Sequence, residues 1–377
     1  MAEAERRLLT FSAGAPHWPD EVLAAAAAEL PRFRGTGLAV PELGHRTGEW
    51  ASLQEEIEAR FRRLAGVPAD REVLFLPGGP SWQFALLPLN LRRPGERADY
   101  VVTGYWSRRA LAAARATGSA RVAATGEENG FTRVPPPEDW DVDPAAAYLH
   151  VTTNNTVYGT RLARLPAGIP VPVVADATSD LLARRLPLQR FAVVYAGAQK
   201  NLGPAGLTVV VVRRDLLARA PRGLPPILRW RDHAAARSRL NTPPMVLAWL
   251  LGRMLEWIEG EGGLAEMERR ARERARVVYE ALEAHPRVYR LPAAREDRSW
   301  VNIVFRTRDA ATDREFLAAA RAAGLVGLAG HRSVGGLRAS MYAGMPLAGA
   351  RRLAAFLHEF ARGRARNGGP GEAPGPP

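Results

Sequence analysis

Two unbroken apolar runs, Phe191 to Tyr195 and Leu207 to Val212, constrain this chain more than any other feature. A run that is apolar at every position, rather than at alternate ones, belongs to a strand buried on both faces of a mainly parallel sheet. Between the runs lies AGAQKNLGPAG, whose three glycines and one proline predict a tight loop at a strand end. In α/β folds that is where the chemistry is placed. Lys200 sits in this loop and is the only lysine in the chain, against 51 arginines. For solvation or an ordinary ion pair an arginine serves as well, so the single exception calls for a property that arginine lacks. A shielded lysine can lose its proton and condense with an aldehyde, whereas an arginine stays protonated. Lys200 is therefore a Schiff-base candidate on its chemistry alone.

Strands alternate with helices through the first two thirds of the chain, which predicts a three-layer α/β/α domain with a mainly parallel sheet. Pro19 to Phe33 reads as a helix, and Ser52 as the opening of another, with Glu55 in the capping-box position and Gly66 as its stop. Glu72 to Leu76 reads as a strand running into PGGPSWQF, a glycine turn entering a helix, whose free N–H groups suit a phosphate. DYVVTGYWS repeats the pattern, with Trp106 at the junction. The run VPVVAD ends in Asp176, a carboxylate too costly to bury unless it faces a cation or strong donor. Strand, aspartate, strand, lysine is the order that a pyridinium cofactor requires.

After the arginine-rich loop and NTPP turn comes a long apolar helix, then an amphipathic one from Leu264 to His285, a connector to a smaller α+β C-terminal domain. That domain is expected to hold a strand at Trp300 to Phe305, a helix over TDREFLAAARAAGL and a strand pair in GHRSVGGLRASMYAGMP. The domain bounds expected are an N-terminal arm at 1–15, a large domain at 16–265, a small one at 266–364 and a disordered tail at 365–377.

The chain has no cysteine, which excludes disulfides, thiolate metal sites and a cysteine nucleophile. It has no apolar run of membrane-spanning length and no signal-peptide core at MAEAERRLLTF, so a soluble, cytoplasmic protein is expected, with no membrane partner. The net charge of +13 is spread from Arg6 to Arg366 among acidic residues. A nucleic-acid surface wants its basic residues on one face or in one run, so compensation for small anionic substrates is the expected reason, with no nucleic-acid partner.

GHRTGEW, DYVVTGYWS, VADATSD, YAGAQKNLGPAGLT, the NTPP turn and GHRSVGGLRAS occur in this order over Phe11 to Phe360. In these motifs the chain resembles the phosphoserine aminotransferases, class V enzymes of the fold type I pyridoxal-phosphate group. The resemblance implies that Lys200 holds pyridoxal 5'-phosphate as an internal aldimine and later shuttles a proton. It implies that Asp176 pairs with the ring nitrogen, Trp106 stacks on the ring and Thr156 meets its phenolic oxygen. Gln199 would reach the phosphate beside the N–H groups of the Pro80, Ser81 and Trp82 turn, of which Pro80 has none. Asn241 and Thr242 would reach that phosphate from a neighbouring subunit, making a homodimer with shared active sites. Arg338 would take the substrate α-carboxylate as a bidentate fork. The pairs His45-Arg46 and His331-Arg332 would converge on the distal anion, phosphate in one half-reaction and a γ-carboxylate in the other.

The implied activity is ping-pong transfer of the amino group of glutamate to 3-phosphohydroxypyruvate, giving O-phosphoserine and 2-oxoglutarate in serine biosynthesis. Action on the phosphorylated hydroxythreonine precursor in pyridoxine biosynthesis is implied as well. No metal site is expected. The chain departs from the family where Pro80 and Ser81 replace a glycine and an arginine, and where Ala13 replaces a serine, which bears on affinity for phosphorylated substrates. The rival readings are a class V transaminase for another pair, such as alanine or serine with glyoxylate, and a non-catalytic or nucleic-acid-binding basic protein. A cysteine desulfurase is excluded, because its chemistry needs the missing cysteine.

Overall fold

A computed structural model describes residues 7–367. The expected tail at 365–377 lies largely outside the described residues, as do residues 1–6 of the arm. The arm's strand β1 (Leu9–Thr10) pairs in parallel with Leu325–Val326 near the far end of the chain. Helix α1 (Asp20–Glu29) ends sooner than Phe33. Helix α2 (Gly48–Ala65) starts four residues before the expected Ser52, because Thr47 Oγ1 accepts from Trp50 N at 3.4 Å and caps the first turn. Gly66 stops α2 as expected, at φ 65°, where a side chain would be strained.

The alternation then runs β2 (Arg71–Pro77), α3 (Pro80–Leu91), β3 (Ala98–Val102), α4 (Tyr105–Ala116), β4 (Ala120–Thr125) and β5 (Leu149–Thr152). A small hairpin, β6 (Asn154–Asn155) with β7 (Thr160–Arg161), leads to β8 (Val173–Asp176), β9 (Val193–Gly197) and β10 (Leu207–Arg213). The central sheet has the order β2-β10-β9-β8-β5-β3-β4. Its pairs are parallel except those of β10, which runs against both β2 and β9. Alternate residues of each strand face opposite cores. Val73, Phe75, Val194, Ala196, Val209 and Val211 belong to one, and Leu74, Leu76, Val193, Tyr195, Val210 and Val212 to the other. Two covered faces are what the unbroken apolar runs require.

Beyond the sheet come α5 (Trp230–Ala235), α6 (Met245–Gly260) and α7 (Gly263–Glu283). Helix α7 begins against the first core at Met267 and ends in a third core at Ala275, Val278 and Leu282. The third core also holds β11 (Asn302–Phe305), α8 (Ala310–Ala322), β12 (Leu325–Val326), β13 (Leu337–Ser340) and α9 (Leu347–Asn367). GHRSVGGLRASMYAGMP forms one strand rather than a strand pair. Gly335 N and Val334 N bond back to His331 O, and β13 pairs with β11 instead.

Helices α2 and α6 lie side by side and point the same way. The Cβ of any residue replacing Gly252 would meet Ile57, and Glu259 receives Arg60 at 2.8 Å and Arg63 at 3.0 Å. Arg237, in the loop between α5 and α6, bonds to Glu55 in the N-terminal half of α2 at 3.0 Å. The lead-ins to the two helices therefore share one end of the pair.

Candidate active site

The carboxyl ends of β2, β3, β5, β8 and β9 open into one cavity of about 190 Å³. Gly79, Pro80, Ser81 and Phe84 line it after β2, Trp106 after β3, and Thr152, Asn154 and Thr156 at and after β5. Asp176, Thr178 and Ser179 follow from β8, and Gln199 and Lys200 from β9. Seven of the expected site residues, Pro80, Ser81, Trp106, Thr156, Asp176, Gln199 and Lys200, are thus brought together at a sheet edge by strands far apart in sequence.

Lys200 is 7 % exposed, and its Nζ donates to Thr156 Oγ1 at 2.5 Å. Among the described residues it forms no ion pair. Burial, reinforced by the positive field of Arg338 and opposed by Asp176, pushes its amine down to about 8. Asp176 ends β8, and Thr178 N donates to its Oδ1 at 3.0 Å. Burial pushes the Asp176 carboxyl up, against the hydrogen bonds of Thr178 and the charge of Lys200.

Arg338 reaches the same place from β13. Its Nη1 donates to Thr156 O at 3.3 Å, its Nε has no partner, and burial lowers its affinity for the proton. One threonine thus receives the lysine on its hydroxyl and the arginine on its carbonyl. His331 packs on Tyr105 with ring centroids 4.7 Å apart, next to Trp106, and its Nδ1 pairs with Ser333 Oγ at 2.7 Å. Burial, and then the charges of Arg338 and Arg332, lower the His331 proton affinity. Arg332 is exposed beside it.

The cavity lining of the single chain includes none of His45, Arg46, Asn241, Thr242, His331, Arg332 and Arg338, of which Arg338 comes up to the wall at Thr156. His45 and Arg46 form the turn before α2, with His45 Nε2 buried and unpartnered. Asn241 and Thr242 are exposed just before α6. The two His-Arg pairs do not converge within one chain. The first pair precedes α2, and Asn241 and Thr242 precede α6, at the same end of the helix pair.

Sequence reasoning missed Thr152, Asn154, Thr178, Ser179 and Phe84 as cavity residues. The polar run after His150, placed where a buried strand ends, was the signal for the first two. Asn154 also ties the cavity to the third core. Its Nδ2 donates to Ser179 Oγ and Asn302 Oδ1, both at 2.8 Å, and its Oδ1 accepts from Ser299 Oγ at 2.6 Å.

A sheet of this order with a buried lysine and aspartate at its carboxyl edge is the arrangement of an aminotransferase, and the Aminotransferase class-V family matches residues 8–353. The phosphoserine aminotransferase of Geobacillus kaustophilus is 43% identical over 357 residues, 95% of this chain and 99% of its own length. The solved phosphoserine aminotransferase from Bacillus circulans subsp. alkalophilus is 40% identical with a TM-score of 0.93, covering 95% of this chain and 99% of that one. The pyridoxal-phosphate-bound phosphoserine aminotransferase from Trichomonas vaginalis is 32% identical with a TM-score of 0.89, over 93% and 99% of the two chains. The chain belongs to the class V aminotransferases and, within them, to the phosphoserine aminotransferase family. The expected fold type I architecture is the one observed.

Proposed function

We propose that this chain, with pyridoxal phosphate, transfers the amino group of L-glutamate to 3-phosphohydroxypyruvate, giving O-phospho-L-serine and 2-oxoglutarate. The observation that carries the reading is the meeting of Lys200 and Arg338 on Thr156. It sets an amine of lowered proton affinity beside a guanidinium with an unpaired Nε, so one substrate can offer its Cα to the first while its carboxylate sits on the second.

The residues fit the cofactor. Gln199 Oε1 and Thr152 Oγ1 are buried without partners in the cavity wall. The wall at Gly197 is tight, since a Cβ there would lie 2.3 Å from Gln199 Oε1 and 2.5 Å from Pro80 Cδ. Lys200 would hold the aldehyde, Asp176 would face the ring nitrogen, Trp106 would cover the ring and Thr156 would meet its phenolic oxygen. Gln199 and the first turn of α3 at Ser81 would take the phosphate. The bound cofactor supplies an electron sink for the carbanion at the substrate Cα. Lys200 Nζ, uncharged when free at mildly alkaline pH, takes the Cα proton. Arg338 fixes the α-carboxylate so that this proton faces Nζ, and His331 and Arg332 hold the distal anion.

The active unit of this reading is a homodimer. Asn241, Thr242, His45 and Arg46 form one patch at the shared end of α2 and α6, outside their own chain's cavity, and we assign that patch to the cavity of a second copy. Two further facts support this. Trp82, next to Ser81, is left 60% exposed, and His45 Nε2 has no partner in its own chain. No helix of the described residues is long and apolar enough to cross a membrane, in keeping with work in the cytoplasm on small anionic substrates.

Visible absorbance of the cofactor-loaded protein, titrated separately with L-glutamate, O-phospho-L-serine and L-alanine, tests the reading. Loss of the cofactor band with the first two and not with alanine is expected. A response to alanine but not to phosphoserine would overturn it in favour of a glyoxylate-type transaminase.

A further inference from the structure

On the sheet face that carries Asp176 lies a buried polar row that none of the roles above uses. Asp176 and Tyr195 are paired in register across β8 and β9, so their side chains rise from the same face of the sheet. Thr152 pairs with Asp176, and His150, two residues earlier on β5, shares that face. His150 Nε2 lies 2.9 Å from the Tyr195 hydroxyl. The ring of Tyr100 stacks on His150 at 4.9 Å and 23°, and the Tyr100 hydroxyl is satisfied by that of Tyr148 at 2.8 Å. His150, Tyr195 and Tyr148 are fully buried, and His150 Nδ1 has no partner.

The direction of the hydrogen bonds follows from what each tautomer would leave unpaired. If Nδ1 carried the proton of a neutral His150, a buried N–H donor would be orphaned, and the Tyr195 proton would be spent on Nε2. If Nε2 carries it, only a bare Nδ1 lone pair goes unpaired. A buried unpaired donor is the rarer and costlier fault. Nε2–H then donates to the Tyr195 oxygen, and the Tyr195 proton is free to turn toward Asp176. Asp176 lies beside Tyr195 in register on the neighbouring strand, and burial and then the charge of Asp176 push the Tyr195 hydroxyl well up. Burial alone holds His150 down at about 3, so the imidazole is neutral at any working pH. The charged groups nearest the row are Asp176 itself, Asp180 and Lys200 at its cavity end and Arg92 at the end of Tyr100 and Tyr148.

We infer that His150 and Tyr195 are positioning residues, a one-way donor chain running from Nε2–H through the Tyr195 hydroxyl to Asp176 that keeps its carboxylate ionised and aimed at the cofactor's ring nitrogen. The inference rests on the reading of Asp176 as the group facing that nitrogen. The chain acts where Asp176 is otherwise disfavoured, because burial pushes the carboxyl toward its neutral form and each donated hydrogen bond pushes back.

The test reads the ring nitrogen directly, through the 15N signal of the protein loaded with pyridine-15N-labelled pyridoxal phosphate. Tyr195→Phe and His150→Leu should move the signal toward that of the unprotonated ring. They should also lower kcat by about 10-fold while KM for glutamate stays within about 2-fold, the size of effect that outer-shell partners have. His150→Gln, whose amide N–H can stand where Nε2–H stood, should keep the signal near that of the parent. If Tyr195→Phe does not hold the cofactor, the Leu and Gln variants of His150 decide. An unmoved signal in both Tyr195→Phe and His150→Leu would overturn the donor chain, however much either variant lowered the melting temperature. Asp176→Asn separates the two levels. A shift there with none in the other two sinks the donor chain alone, and no shift there sinks the placement of Asp176 as well.

Discussion

Lys200 Nζ donates to Thr156 Oγ1 at 2.5 Å, and this neutral hydroxyl is its hydrogen-bond partner among the described residues. A buried amine without a carboxylate at contact distance loses its proton early, in this case at about 8 instead of the usual 10.5. Below that pH the amine is charged in both folded and unfolded chains, and only above it is the folded amine free to attack. Uptake of pyridoxal phosphate by the cofactor-free protein should therefore speed up with pH around a midpoint near 8. Stopped-flow absorbance checks this. A midpoint near that of a solvated lysine would contradict the burial argument, and Lys200→Ala should give neither the lysine-linked absorbance band nor turnover.

Arg338 offers a planar fork whose Nη1 is already anchored on Thr156 O and whose Nε is free. Arg338→Ala should lower kcat/KM for glutamate by about 10- to 100-fold, the loss of one or two charge-assisted hydrogen bonds. Arg338→Lys should recover little of this, since a point charge cannot reproduce the fork. Steady-state kinetics decide, and an unchanged specificity constant would remove Arg338 from the substrate site.

The shared end of α2 and α6 makes a genetic prediction. Chains carrying Lys200→Ala and chains carrying Arg46→Ala with Asn241→Ala should each be inactive alone. Mixed at equal amounts they form hybrid dimers, each with one site built from an intact lysine and an intact patch. Random pairing with one working site of two gives roughly a quarter of parental activity for a symmetric dimer. No recovery on refolding the two together would place the patch elsewhere.

Asn154 links the cavity wall to the third core through Ser179, Asn302 and Ser299. Asn302 in turn donates to Ser340 Oγ at 2.9 Å and Tyr342 OH at 3.2 Å. Asn154→Ala would leave several buried polar atoms unpaired, and a denaturant melt should show a loss of about 2–4 kcal/mol. A loss under about 1 kcal/mol would mean that the network relaxes around the gap.

How legible these parts were in the sequence depended on how local their causes are. Lys200 could be picked out because it is unique, and its strand context because both flanks are apolar at every position. The start of α2 was misplaced because Ser52 and Glu55 imitate a capping box, while Thr47 makes the capping bond. The second strand expected in GHRSVGGLRAS gave way to a turn, since the backbone there bonds back to His331 O. The Asn154 network and the Tyr195 and His150 row could not be read from the chain, because they exist only once the registers of β5, β8, β9 and β11 are set. That His45-Arg46 lies at the head of α2, away from the cavity lining, depends likewise on how α2 and α6 pack.

The reversal of β10 bears on how this enzyme can drift. Because β10 runs against β9, the lysine lies in a hairpin closed by Ala198 N on Leu207 O, and Gly78 N and Thr208 Oγ1 lace that hairpin to the turn at the start of α3. The Lys200 amine is thus placed by backbone length, and the identity of the surrounding apolar side chains matters little to its position. Substitutions among the valines of β9 and β10 can accumulate over generations without displacing it. One residue gained or lost between Gly197 and Leu207 would shift the amine out of reach, so this segment should tolerate changes of letter and refuse changes of length.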